Sequence, residues 1–405
     1  MTTNTTPDVE VGNEIEDRMR AEVAALRDAT VDAITPSGAL TLVPTLGFAD
    51  APPSDRVLLK AETGQGATNI RVLEGAHDQI ADKLGIPKRY YDRMLVDRPE
   101  LLCSNVNTWL RAKPEAKRLV RMLTPITEDE HAFAERHGAK LSARAFLSDR
   151  FRPLDHGGLL DVVLPEIAKA GATVTEYDLS EKYFHVRFAT ASEEILERFV
   201  AQQPALRGLT EIASFGGGIR NSETGHAALS VRPIVNIDRC TNVLVVTDMW
   251  RVAHVGGRSA EEQEHFGVDT RQLDDAATFL KVRDRVIQMF SPDVKRMAAS
   301  AIAEAAGVDL AAALPAEKPL MEFVEGVGRR FELGEAELAT LQDCYVAEAT
   351  ETGRSSRWTL SQAFTASAKQ ADSFQRKAEI QEIGWKVLKS PIKSLIEATG
   401  RRSRN

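Results

Sequence analysis

Two runs in the middle of the chain alternate polar and apolar residues: Ala172 to Asp178, ATVTEYD, and Tyr183 to Thr190, YFHVRFAT. A period of two places successive side chains on opposite faces of an extended chain, so each run reads as a half-buried strand. Ser180, Glu181 and Lys182 supply the turn between them. A lone hairpin is marginal in water and needs more strands or a helix over its apolar face. The chain offers both. Leu159 to Ala170 is helical in pattern and closed by Gly171, and strand-like runs resume over Leu209 to Ser214, Ala227 to Asn236 and Asn242 to Thr247, with a short helix at Glu193 to Gln202. This order predicts an α+β fold: a central mixed, mostly antiparallel sheet with flanking helices. Beyond Leu273 apolar residues recur at helical spacing, which predicts a helical C-terminal region with one long helical pattern from Leu360 to Leu388.

At 405 residues the chain is long for one core. Its expected parts are a disordered tail (1–13), an N-terminal α/β region (14–125), a charged insert (126–142), the sheet domain (143–256), the helical region (257–390) and a basic tail (391–405). The N-terminal region opens with a helix from Glu14 to Val31 and strand candidates at Ala39 to Val43, Arg56 to Lys60 and Ile70 to Leu73. A helix–Gly–helix unit follows. Ala76 to Leu84 ends at Gly85, Pro87 starts the next helix, and Pro99 to Leu110 forms another. Of its Arg89, Tyr90, Tyr91 and Arg93, the tyrosine pair is expected to pack the helix junction. Lys117 to Leu123 reads as a strand or short helix.

Composition narrows the function classes. The chain is 43% hydrophobic and 27% charged, as in ordinary soluble domains. No apolar run is long enough to span a bilayer, and the N-terminus has no secretory pattern. Cys103, Cys240 and Cys344 are far apart and form no CxxC pair, which suits a cytoplasmic chain with free thiols and no structural zinc. His131, Glu135 and His137 match no metal-binding spacing, and neither a metal nor a cofactor is expected. The net charge of -8 argues against a chain coated in nucleic acid. The charge is uneven, however: Lys88 to Arg121 holds nine Lys/Arg against four Asp/Glu.

Phe215 to His254 concentrates the unusual residues. Gly216-Gly217-Gly218 fits neither a P-loop nor a dinucleotide fingerprint and precedes a strand-like run, so it is expected to be a flexible connection between strands. Asn221-Ser222-Glu223-Thr224-Gly225 has turn composition. Glu223, His226, Cys240 and His254, with Asp238 and Asp248 nearby, would make an enzyme site only if they converged. Arginines recur through the sheet region beside aromatic residues. The candidate phosphate contacts are Arg144, Arg150, Arg152, Arg220 and Arg232, with Asn221 shaping the loop. A third reading, a protein-interaction component, predicts an exposed apolar stripe on Leu360 to Leu388.

Four phrases together resemble one family, the domain of unknown function 932 or phage/plasmid-like proteins. They are LGIPKRYYDRML with NVNTWL (Leu84 to Leu110), LVRML with ARAFLSDRFRPLD (Leu119 to Asp155), IRNSETGHAALSVRPIVNIDRCTN (Ile219 to Asn242) and SSRWTLSQAFTASAK (Ser355 to Lys369). The last departs from the family pattern at Ser361-Gln362 and Ala368-Lys369. The resemblance implies a bacterial mobile-element protein. That setting favours a non-catalytic, cytoplasmic factor for replication, recombination or single-strand annealing, whose partner is single-stranded or recombining DNA and which acts as a homo-oligomer.

Overall fold

The computed structural model describes residues 7–45, 52–63, 66–190, 212–237, 242–245, 250–252, 268–316 and 319–400. Two sheets carry the architecture, and the α+β class with a helical C-terminal region is the observed one.

The first sheet has the order β1-β5-β6-β4-β3-β2. Its strands are β1 (Thr30–Pro36), β2 (Leu40–Pro44), β3 (Val57–Thr63), β4 (Gly66–Val72), β5 (Lys117–Leu123) and β6 (Leu141–Ser148). All neighbours are antiparallel except β4 and β6. That parallel pair needs a long crossover. It contains α2 (Glu74–Lys83), α3 (Lys88–Asp97), α4 (Pro99–Ala112), β5 and α5 (Glu128–His137). Gly85, at φ 68°, turns the chain between α2 and α3 as its position predicted. Apolar residues of α2, α3 and α4, among them Ile80, Tyr91, Met94, Leu102 and Val106, pack with Leu42, Leu59, Ile70 and Val120 of the sheet. The charged insert is folded: Thr127 and Glu130 form a capping box for α5, and Gly138 ends it in the left-handed conformation.

The second sheet runs β11-β10-β9-β8-β7, with β12 also pairing to β10. Its strands are β7 (Ala172–Leu179), β8 (Phe184–Thr190), β9 (Ile212–Asn221), β10 (Leu229–Ile237), β11 (Asn242–Val245) and β12 (Trp250–Val252), all antiparallel. One face meets α1 (Pro7–Ala29), α6 (His156–Lys169), α7 (Val268–Met289) and α8 (Pro292–Ala306) in the largest core. The remaining helices are α9 (Leu310–Ala313), α10 (Leu320–Arg330), α11 (Glu335–Thr352), α12 (Arg357–Ser367), α13 (Phe374–Lys389) and α14 (Ile392–Gly400). They build their own core around Phe323, Leu341 and Phe364.

Several expectations change. Helix α1 begins at Pro7, within the stretch expected as a tail, and gives way to β1 at Thr30. The strand holding Arg144 and Phe146 belongs to the first sheet, because it pairs with β4 and β5 rather than with β7. The three glycines do not connect strands; they lie inside β9, paired on both sides. A Cβ at Gly216 would sit 1.9 Å from the Phe188 carbonyl oxygen, and one at Gly217 would strike Met289, which fills the core there. The pattern Leu360 to Leu388 is two helices, since Ser373 accepts a hydrogen bond from the Arg376 N–H and starts a new one. The helix expected at Glu193 to Gln202 lies outside the described residues.

Candidate functional site

The expected site divides between three places. The first is the Asn-Ser-Glu-Thr-Gly turn, which follows β9 and inserts between the two sheets. Asn221, Ser222, Glu223 and Thr224 are all buried. Glu223 Oε2 accepts from Arg121 Nη2 on β5 at 3.1 Å and lies 3.5 Å from Arg144 Nη1 on β6. Its Oε1 accepts from the His156 backbone N–H, 2.7 Å away at the start of α6. Arg121 also donates to Asp32 on β1 at 2.8 Å. One carboxylate thus ties the second sheet to two strands of the first and to a helix.

Burial alone would raise the Glu223 carboxyl, yet the charges around it, His156, Arg121 and Arg144, hold it below the usual carboxylate range. Asn221 Nδ2 donates both to the Leu154 carbonyl at 2.7 Å and towards His156 Nδ1 at 2.9 Å. The surrounding contacts extend the joint. Gln79 of α2 donates to the Thr224 carbonyl and accepts from the Phe146 N–H. Ser222 donates to the Lys182 carbonyl, Glu181 accepts from the Gly75 N–H, and Lys182 pairs with Glu74 and Asp78. A carboxylate saturated in this way is a structural joint, not a base waiting for a proton. His226 bonds to Ser222 and Thr224 rather than to Glu223. Cys240 and His254, with Asp238 and Asp248, lie outside the described residues.

The five candidate arginines and Asn221 do not share one face. Arg144 and Asn221 are in the joint, where Arg144 is 2% exposed. Arg150 is exposed in the turn after β6, and Arg152 is paired with Asp274 and Asp275 of α7. Arg220 and Arg232 are on the second sheet, on the face covered by α13, where Arg232 pairs with Glu382. Together with Arg187 they line a recess there.

The third place is the surface of α3 and α4. Tyr91 is buried and hydrogen-bonded to His77, as the packing expectation requires, but its neighbour Tyr90 is 48% exposed. Trp109 of α4 is 53% exposed. Arg89, Arg98, Arg111 and Lys113 are exposed on the same two helices and the loop after them, and form no ion pair among the described residues. Tyr90 and Arg93 are three residues apart on α3; Leu101, Asn105 and Trp109 are four apart on α4, so each set shares a side of its helix. The spacing of Tyr91, Met94 and Leu95 could have separated the buried tyrosine from the exposed one.

The stripe expected on Leu360 to Leu388 is not exposed; Leu360, Phe364, Ile380 and Leu388 are all buried. Among the described residues no group of three His, Cys, Asp or Glu could hold a metal ion, and no helix is long and apolar enough to cross a membrane. No family model, curated protein or solved structure matches the chain.

Proposed function

We propose that this chain is a non-catalytic nucleic-acid-binding factor that holds single strands on the surface of α3 and α4, in the setting of replication, recombination or annealing suggested by its phage/plasmid-like motifs. One observation carries the reading: two half-exposed aromatic rings, Tyr90 and Trp109, on neighbouring helices that also carry exposed cations without carboxylate partners. Bases stack on exposed rings whatever their sequence, and unpaired Lys and Arg hold the phosphates between them. Arginines that already face carboxylates, such as Arg144 and Arg152, offer less to a phosphate. Helix α4 is about 21 Å long, enough to support several nucleotides.

The test is fluorescence anisotropy of a labelled oligothymidylate. Binding in low salt at micromolar protein is expected, weakening steeply as salt rises. Trp109→Ala and Tyr90→Ala should each weaken it by roughly 5- to 150-fold, the range of about 1–3 kcal/mol for one stacked base. No binding at micromolar protein in low salt overturns the reading. Binding that both variants leave untouched moves the nucleic acid to another surface.

A further inference from the structure

Helix α7 is buried along one side only. Phe279, Val282, Val286 and Met289 belong to the core under the second sheet. On the opposite side Leu273 is 71% exposed, Leu280 42% and Ile287 50%. These three are seven residues apart. Seven residues make about two turns, so the side chains stand in one row along roughly 21 Å of the helix. Ala276 and Ala277 lie between the first two, and Arg283 and Asp284, hydrogen-bonded to each other at 2.8 Å, between the second two.

A single exposed leucine needs no explanation. A row at strict seven-residue spacing is the pattern of a seam against another helix. Of the twelve large apolar side chains exposed among the described residues, three are in this row.

The residues between them fit a second copy of the same helix running the opposite way. With a two-fold axis at Leu280, Leu280 meets its own counterpart, and Leu273 meets Ile287 of the copy. Ala276 and Ala277 then come opposite Asp284 and Arg283, so small residues face long polar ones and the seam closes evenly. A parallel copy would set alanine against alanine and Arg283 against Arg283. Charge points the same way. Residues 268–279 hold three Asp against one Arg, and residues 280–289 hold three Lys/Arg against one Asp. Arg152 offsets only one of Asp274 and Asp275, so the first half stays net negative. Antiparallel pairing brings this half onto the positive half and opposes the two helix dipoles.

We propose that α7 is a self-association surface, on which two copies of the chain pair antiparallel about Leu280. Such an interface is isologous and closes at the dimer. Three apolar layers make a small seam, so the dimer should be weak and form over about 1–100 µM protein. The surface is on a different helix from Tyr90 and Trp109, and the proposal stands or falls independently of strand binding there.

The experiment is sedimentation velocity of the full chain across that concentration range. A reversible monomer–dimer equilibrium is expected. Leu280→Lys sets two ammonium groups against each other at the axis and should raise the dissociation constant about tenfold or more. Leu273→Lys, at the most exposed position, should weaken the dimer as well, and it decides if Leu280→Lys does not fold. Trp109→Ala should leave the equilibrium unchanged. Mild oxidation then reads the direction of the helices, with the unsubstituted chain as the blank. Leu280→Cys should cross-link to itself, and a mixture of Leu273→Cys and Ile287→Cys should cross-link one to the other. A chain that stays monomeric throughout overturns the proposal, as does a dimer that both lysine substitutions leave intact. Self-cross-linking by Leu273→Cys alone would mean a parallel pair and overturns the antiparallel arrangement.

Discussion

Arg121 and Arg144 meet Glu223 in the buried space between the sheets, while Arg89, Arg98, Arg111 and Lys113 are exposed on, between and just after the helices that carry Tyr90 and Trp109. Both groups come from the same basic part of the sequence or its immediate continuation, yet their energetics are opposite. Taking a guanidinium out of water is costly, and only a well-placed carboxylate offsets it. Such a charge is committed to the fold. A cation left in water costs the fold little and keeps its attraction for a phosphate. Proximity to a carboxylate, more than the number of arginines, distinguishes the two regions.

The sharpest way to break this contrast is at Glu223. Glu223→Ala leaves Arg121 and Arg144 buried without their shared counter-charge and should destabilise the chain by about 3–5 kcal/mol. Urea denaturation measures it. A loss below about 1 kcal/mol, comparable with a surface ion pair, would mean that the joint does not hold the sheets together.

Acid should reveal the buried side of the contrast next. Burial pushes His77 down to about 4 and His185 to about 3, from an ordinary value of 6.5. Above pH 6.5 both rings are neutral whether the chain is folded or not, and their contribution is complete. Below it the unfolded chain takes up protons that the folded chain refuses. Stability then falls by about 1.4 kcal/mol per pH unit for each ring, until about pH 4 for His77 and pH 3 for His185. The slope of unfolding free energy between pH 6.5 and 4.5 should therefore become shallower in His185→Gln. An unchanged slope would show that this ring protonates freely in the folded chain.

What the sequence discloses depends on the range of the interaction. Ala172 to Thr190 states its own hairpin through alternation, and Gly85 and Gly171 mark their turns because each adopts positive φ. The joint is different. Glu223 is 102 residues from Arg121, and nothing local in Asn-Ser-Glu-Thr-Gly says which cations it will meet. The same limit misplaced the strand of Arg144, whose parallel partner β4 is reached only across three helices, a strand and α5. The three glycines mislead for a further reason: alone they suggest freedom, and only the Phe188 carbonyl and Met289 beside them show that they serve close packing. The exposed rings were half-legible, since helical spacing singles out Tyr91 as the inward residue of its pair, while Trp109 has no such neighbour.

The smallest effect is the most discriminating. Arg98 is exposed and makes no ion pair among the described residues, whereas Arg152 is held by Asp274 and Asp275. Arg98→Gln should remove one phosphate contact, weakening oligothymidylate binding modestly and reducing the slope of log affinity against log salt by about 0.7–1. Arg152→Gln should lower stability by less than about 1 kcal/mol, as expected for a partly exposed ion pair, and leave the salt slope unchanged. The two substitutions remove the same charge from the same protein, so a general loss of attraction would affect both equally. Only a difference between them attributes binding to cations without carboxylate partners, and equal slopes would place the strand elsewhere on the molecule.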